Sequence, residues 1–167
     1  VRPNVFKKPD RIADSWGRIQ LEQFDLKPED IRTKRLDFIS FSKSGYNIQE
    51  ADIIVAGGRG MGSKENFDKL YELADAIGGV VGATRPLVEK GWIELPYQVG
   101  QTGKTVSPKL YLAFGISGAI QHVSGTSGAD TIVAINNDPK AEIFQHANYG
   151  IVGDCMEVLN DMLAHLK

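Results

Sequence analysis

Four short apolar runs constrain this chain more than any other feature: Asp52-Ile53-Ile54-Val55-Ala56, Gly79-Val80-Val81-Gly82-Ala83, Leu110-Tyr111-Leu112-Ala113-Phe114 and Thr131-Ile132-Val133-Ala134-Ile135. Each is too short for a buried helix and lacks the alternation of a half-exposed strand. Such runs fit strands covered on both faces, which is the condition of a parallel sheet. Residues 147–152 supply a possible last strand. Helical spacing fills the intervals. Ser63 can cap a helix in which Phe67, Leu70, Tyr71, Ala74 and Ile77 recur at steps of three and four, and Gly78 can end it. Thr84 precedes a brief helix with Pro86 in its first turn, and Ser117 can cap another. Asp154-Cys155-Met156-Glu157 forms a capping box, opening a helix whose Val158, Leu159, Met162, Leu163 and Leu166 face inward. Strands alternating with helices predict an α/β fold with a doubly wound, mainly parallel, Rossmann-like sheet.

The first fifty residues read differently. Residues 1–14 form an extended lead-in, and the alternating stretches at 18–24 and 35–41 fit half-buried strands on either side of the turn-like Lys27-Pro28-Glu29-Asp30. Sixteen of the 18 glycines fall after residue 50. The chain therefore divides into a strand-rich lead-in, 1–50, and a glycine-rich ligand-binding domain, 51–167. A first residue other than methionine points to a processed chain or to a domain of a longer protein.

Composition narrows the function. At 167 residues, 42% hydrophobic and 24% charged, the chain has a core and is not intrinsically disordered. A net charge of -2 argues against a general nucleic-acid or membrane-surface binder, and no run approaches the ~20 apolar residues of a membrane span. Its single cysteine cannot form an internal disulfide and favours a reducing compartment. His122, His146, His165 and Cys155 lack metal-ligand spacing, and no Gly-x-Ser-x-Gly elbow is present. Gly100-Gln101-Thr102-Gly103-Lys104-Thr105 is too short between its glycines to be an ATP-binding phosphate loop.

In a doubly wound sheet the ligand lies beyond the carboxyl ends of the strands. Four segments there are unusual: Gly57 to Gly62, Gly82 to Pro86, Gly115 to His122, and Ile135-Asn136-Asn137-Asp138. The loop Gln98-Val99-Gly100-Gln101-Thr102-Gly103-Lys104 makes a fifth. Gly58-Arg59-Gly60-Met61-Gly62-Ser63 departs from the dinucleotide fingerprint, because Ser63 stands where the third glycine belongs, and a tight strand-to-helix turn explains it equally well. Arg59 adds something a turn does not need, a guanidinium suited to phosphate or to an electron-rich ring. Ser117-Gly118-Ala119 at a helix start suits a pyrophosphate, with an ordinary serine cap as the plain alternative.

Taken together, the five segments resemble the FAD-binding domain of the electron transfer flavoprotein alpha subunit. The resemblance runs from about Asp52 onward. Residues 1–50 resemble the variable strands before that domain, which leaves the subunit's N-terminal domain outside this chain. The resemblance implies an extended FAD. Arg59, Thr84 and Arg85 would approach the isoalloxazine. Val99, Gly100, Gln101 and Thr102 would wrap the ring, with the Thr102 hydroxyl near N5 and Gln98 at the loop's edge. Ser117, Gly118, Ala119, Ile120, Gln121 and His122 would hold the pyrophosphate and place His122 near O2. Asn136, Asp154 and Cys155 would contact the adenosine end. Relatives often read Ile-Asn-Lys-Asp where Asn137 stands here, which removes an expected lysine contact to phosphate.

The resemblance further implies an electron carrier that pairs with a beta subunit and takes electrons from an acyl-CoA dehydrogenase or a similar flavin dehydrogenase. Such a protein would be cytoplasmic in a bacterium or archaeon and would lie in the matrix of a mitochondrion. Residues 82–89 resemble versions that bifurcate electrons between NADH and ferredoxin. Adding an electron to a flavin puts negative charge near N1 and O2, which Arg85 or a donating His122 would stabilise. Two other classes remain open on the residues alone: a nicotinamide-dependent dehydrogenase, and a module that senses an adenine nucleotide without redox change.

Overall fold

The structure, a computed structural model, describes residues 17–25, 27–34, 36 and 47–166. Five strands form one sheet: β1 (Ile53–Gly57), β2 (Val80–Ala83), β3 (Leu110–Phe114), β4 (Thr131–Asn136) and β5 (Tyr149–Val152). Their order is β2-β1-β3-β4-β5 and every pairing is parallel. The helices are α1 (Lys64–Ile77), α2 (Arg85–Glu89), α3 (Ile120–Val123) and α4 (Cys155–His165). This is the predicted α/β architecture.

Alternation along the central strands assigns the two faces. Val55, Leu112, Phe114 and Ile135 face α1 and α4, where Phe67, Leu70, Leu73 and Leu159 bury completely or nearly so. Ile54, Ala56, Tyr111, Ala113 and Ala134 face the other way, onto Ile48, Val99, Val106, Ile116 and Ile143. One face is thus covered by long helices and the other largely by loops. Ile48 lies in a 3₁₀ turn at Ile48–Glu50 and is already buried, so the packed unit takes in residues just before Ala51.

Local chemistry sets the helix ends. The Ser63 hydroxyl accepts from the Asn66 amide and Gly78 adopts φ 69°, so α1 begins and ends where its capping residues stand. Asp154 accepts from the amides of Met156 and Glu157 at the start of α4. Ser117 does not cap α3. That helix starts at Ile120 behind Ala119, because Gly115 and Gly118 take φ of 61° and 91°, which no right-handed helix can include. Tyr71 is 42% exposed, its ring set edge-on to Phe67, and Leu73 fills the inward position instead. Leu166, just past the last turn of α4, is also exposed.

The alternating stretch at 18–24 forms no strand. Ile19, Leu21 and Phe24 are 88, 91 and 87% exposed. Alternation makes a strand only where a neighbour takes up its backbone groups and a core covers its apolar side. The second stretch, 35–41, lies outside the described residues apart from the exposed Leu36.

Phe67 carries much of the α1 contact with the sheet, so Phe67→Ala lowers unfolding stability by about 3–5 kcal/mol. Tyr71→Ala, at a half-exposed site, costs clearly less. Urea unfolding of both variants, followed by circular dichroism, checks the difference.

Candidate functional site

The chain steps from β1 outward to β2, then returns to β3 on the other flank of β1. The connections diverge at the carboxyl ends of β1 and β3, which is where an open α/β sheet leaves a crevice. Here two glycine loops meet backbone to backbone. Gly58 N–H donates to Phe114 O at 2.8 Å and Gly60 N–H donates to Gly115 O at 2.9 Å. A Cβ on Gly58 would fall 2.4 Å from Gly115 O.

A cleft of about 840 Å³ opens over this junction, at the upper end of the usual range for small-molecule sites. It runs from Thr84 and Arg85 after β2, past Gly58 to Gly60 and Gly115 to Ser117, to Asn136 and the Asp138–Glu142 segment after β4. Of the residues expected from sequence, Arg59, Thr84, Arg85, Gln98, Val99, Gly100, Thr102, Ser117, Ala119, Gln121, His122 and Asn136 line it. The loop 98–104 reaches the cleft because Val99 N–H donates to Ala83 O at 2.9 Å and Gln101 N–H to Gln121 O at 2.7 Å, tying it to β2 and α3.

Five expected residues stand outside the lining. Gln101 contributes its backbone tie to Gln121, and Ile120 is 66% exposed on the start of α3. Gly118 packs against the Ile143 backbone, where a Cβ would meet Ile143 N at 2.1 Å. The Asp154 carboxylate caps α4. Cys155 is buried in the core, its thiol donating to Ile135 O at 3.5 Å. Burial, and then the neighbouring Asp154 charge, push that thiol up, so it is no activated thiolate.

Sequence reading flagged the segment that ends at Asp138 without giving that residue a role and missed Lys140 and Glu142; all three line the far end. Lys140 brings a cation near the end of β4, although Asn137 does not. The rule that ligands sit beyond strand ends pointed to this loop, and extending it past Asp138 finds the lysine. Gly58, Gly60 and Gly115 also serve as walls, whereas sequence reading singled out only Arg59 from the first loop.

Several polar groups of the cleft are committed to partners in the protein. Asn136 donates through Nδ2 to Ile116 O and accepts at Oδ1 from Asp138 N–H, both at 2.9 Å. Arg85 Nε lies 2.7 Å from Glu89 Oε1, an exposed pair one helical turn apart. His122 is 7% exposed, with Nδ1 at 3.0 Å from Val99 O and Nε2 at 3.0 Å from the Tyr111 hydroxyl. A carbonyl only accepts, so Nδ1 carries the proton and Nε2 of the neutral ring accepts from Tyr111. Desolvation pushes His122 down to about 4, against a smaller opposing effect of the Val99 bond, and burial pushes Tyr111 up.

A cleft of this kind fits a dinucleotide with a ring at one end. Its length spans the ends of β2, β1, β3 and β4, glycine backbones leave room for close approach, and Arg59, Arg85 and Lys140 supply cations along it.

The imidazole gives the site a pH signature. His122 binds its proton less readily folded than at its ordinary 6.5, so the stability it contributes is complete above about pH 6.5 and declines as pH falls toward 4. His122→Gln removes that part of the decline relative to wild type, and nitrogen NMR of the wild-type ring finds it neutral and Nδ1-protonated down to pH 5. A ring that titrates near pH 6.5 contradicts this.

Comparison with known proteins agrees with the geometry. The family described as Electron transfer flavoprotein FAD-binding domain matches residues 47–127. The electron transfer flavoprotein subunit alpha of Thermoanaerobacterium thermosaccharolyticum is 52% identical over all of this chain, which covers 51% of that protein. Protein FixB of Clostridium saccharobutylicum is 53% identical, again over the whole chain and 50% of the relative. The subunit alpha of Megasphaera elsdenii is 50% identical over 95% of the chain and 48% of the relative. The chain spans about half the length of the curated relatives it matches. The chain is thus similar along its whole length to part of the electron transfer flavoprotein alpha subunit, and its residues 47–127 match the FAD-binding domain of that family.

Proposed function

We propose that this chain binds FAD in the cleft at the β1/β3 junction and is the electron-carrying part of an electron transfer flavoprotein. FAD, when bound, accepts and releases electrons singly or in pairs. The protein's own part is to hold, screen and charge the ring's surroundings. Arg59 and Arg85 supply positive charge at one end of the cleft, and the Gly58–Gly60 and Gly115–Ser117 loops present backbone to a phosphate-bearing ligand.

The observation that carries this reading is the committed imidazole. A substrate dehydrogenase needs a proton-exchanging group beside the reacting ring; His122, the histidine in the lining, has both nitrogens engaged and stays neutral, while Asp138, Lys140 and Glu142 stand after β4, across the sheet from Arg85 after β2. An electron carrier needs no such group. The relatives named electron transfer flavoprotein subunit alpha support the same choice. The full protein would pair with the family's beta subunit and take electrons from an acyl-CoA dehydrogenase or another flavin dehydrogenase; the resemblance of residues 82–89 to bifurcating versions extends the proposal to NADH and ferredoxin. No described helix is long and apolar enough to cross a membrane.

Purified protein mixed with FAD and desalted retains flavin absorption bands, and anaerobic titration reduces it in two resolved one-electron steps. A colourless protein that instead binds ADP tightly makes it a nucleotide sensor. Direct oxidation of a small substrate coupled to NAD makes it a dehydrogenase. Arg85→Ala lowers the one-electron potential of the bound flavin through loss of a nearby positive charge; spectroelectrochemistry giving an unchanged potential at full occupancy removes Arg85 from that role.

A further inference from the structure

Arg85 is a cation of the cleft wall that is held at the cleft's mouth. Its guanidinium donates through Nε to Glu89 Oε1 at 2.7 Å, and the two side chains are 61 and 58% exposed. Thr84, Arg85 and Pro86 line the cleft, whereas Glu89 lies outside the lining. The carboxylate therefore anchors the guanidinium from outside the space a ligand fills.

Helix stability does not account for this pair. Arg85 is the first residue of α2 and Glu89 the last. A cation at the amino end and an anion at the carboxyl end both oppose the helix dipole, and a basic residue four positions before an acidic one is the less favourable order. Lys90, the cation next to Glu89 in sequence, instead places its ammonium 5.0 Å from the centre of the Trp92 ring. α2 is held by other means, with Pro86 in its first turn and Leu87 fully buried in the core.

We infer that Glu89 is a positioning residue that tethers Arg85 at the mouth of the cleft and so limits the positive charge reaching a bound flavin ring. This rests on the proposal that FAD binds with its ring at the Arg85 end. A guanidinium is a rigid plane of N–H donors, so a bond at Nε sets its orientation and leaves the Nη groups as the remaining donors. An exposed ion pair is worth a factor of only about two to five, which suits a tether that trims a potential without fixing it. Glu89 touches Arg85 and acts on the ring through it.

The test is a double-mutant cycle on the FAD-loaded protein. Spectroelectrochemistry reads the equilibrium constant of the first one-electron reduction in wild type, Glu89→Gln, Arg85→Ala and the double variant. Glu89→Gln keeps the size of the side chain and removes its charge. In the wild-type background it raises the constant, because an anion is lost and the freed guanidinium can approach the ring. In the Arg85→Ala background only the loss of the anion remains, so the rise is smaller by roughly two- to fivefold. Glu89→Asp, whose carboxylate is one methylene short of Nε, also raises the constant although no charge is lost. An equal rise in both backgrounds reduces Glu89 to a remote charge and overturns the positioning role, as does a Glu89→Asp protein with the wild-type constant.

A second readout needs no ligand. In proton NMR the Arg85 Nε–H is shifted downfield by the carboxylate in wild type and moves upfield in Glu89→Gln. A resonance that Glu89→Gln leaves in place overturns the tether. The expected shift in a protein that takes up no FAD leaves the ion pair standing but refutes the functional proposal, and with it any effect of Glu89 on a flavin.

Discussion

Everything about this site depends on the backbone contact between two glycine loops at the point where strand order reverses. Gly58 and Gly60 on one side and Gly115 on the other approach until their amides and carbonyls bond directly, at 2.8 Å from Gly58 to Phe114 O and 2.9 Å from Gly60 to Gly115 O. A side chain at any of the three would collide with backbone, not with another side chain that could move aside. The contact closes the bottom of the cleft. It also sets the spacing between the loops that carry Arg59 and Ser117, so the width available to a ligand follows from the absence of three Cβ atoms.

Above that junction the buried polar groups of the cleft are satisfied by protein. Among the described residues the buried polar ones are Gln98, His122, Thr126 and Asn136, and three of these line the cleft. Two of them tie one strand-end segment to another, His122 joining β3 and α3 to Val99 and Asn136 joining β4 to Ile116, while Gln98 bonds within its own loop. No buried side-chain polar atom among the described residues lacks a partner. A polar network satisfied in this way is preorganised, and the donors it leaves facing outward are the ones a ligand meets. Electrostatics then follow from the residues at the rim, with Arg59 and Arg85 at one end and a mixed Asp138, Lys140 and Glu142 group at the other.

The sheet was legible in sequence because strands buried on both faces leave uninterrupted apolar runs, and Ser63, Gly78 and Asp154 were legible because capping is single-residue chemistry. Ser117 misled for a related reason: its capping role depends on the φ of the next residue, and Gly118 takes a value no helix allows. Residues 18–24 show the limit of periodicity, which reports an available face but not a partner for it. Most of the candidate lining could be read from loops that follow strands. What could not be read was the direction of each side chain. Cys155 sits beside a cap that faces solvent, yet its thiol points into the core. His122 was expected to donate to a ligand, yet its donor is spent on Val99 through a bond spanning 23 residues. Such links have no signature in local sequence.

The central claim is that FAD binds over the glycine junction and spans the strand ends on both sides of it. Amide hydrogen exchange of the whole chain, with and without saturating FAD, tests this most directly. The account predicts slowed exchange at residues 57–62, 98–104 and 115–122, with little change along α4. Unchanged exchange in those loops, or protection concentrated on the exposed β5 edge, would contradict it.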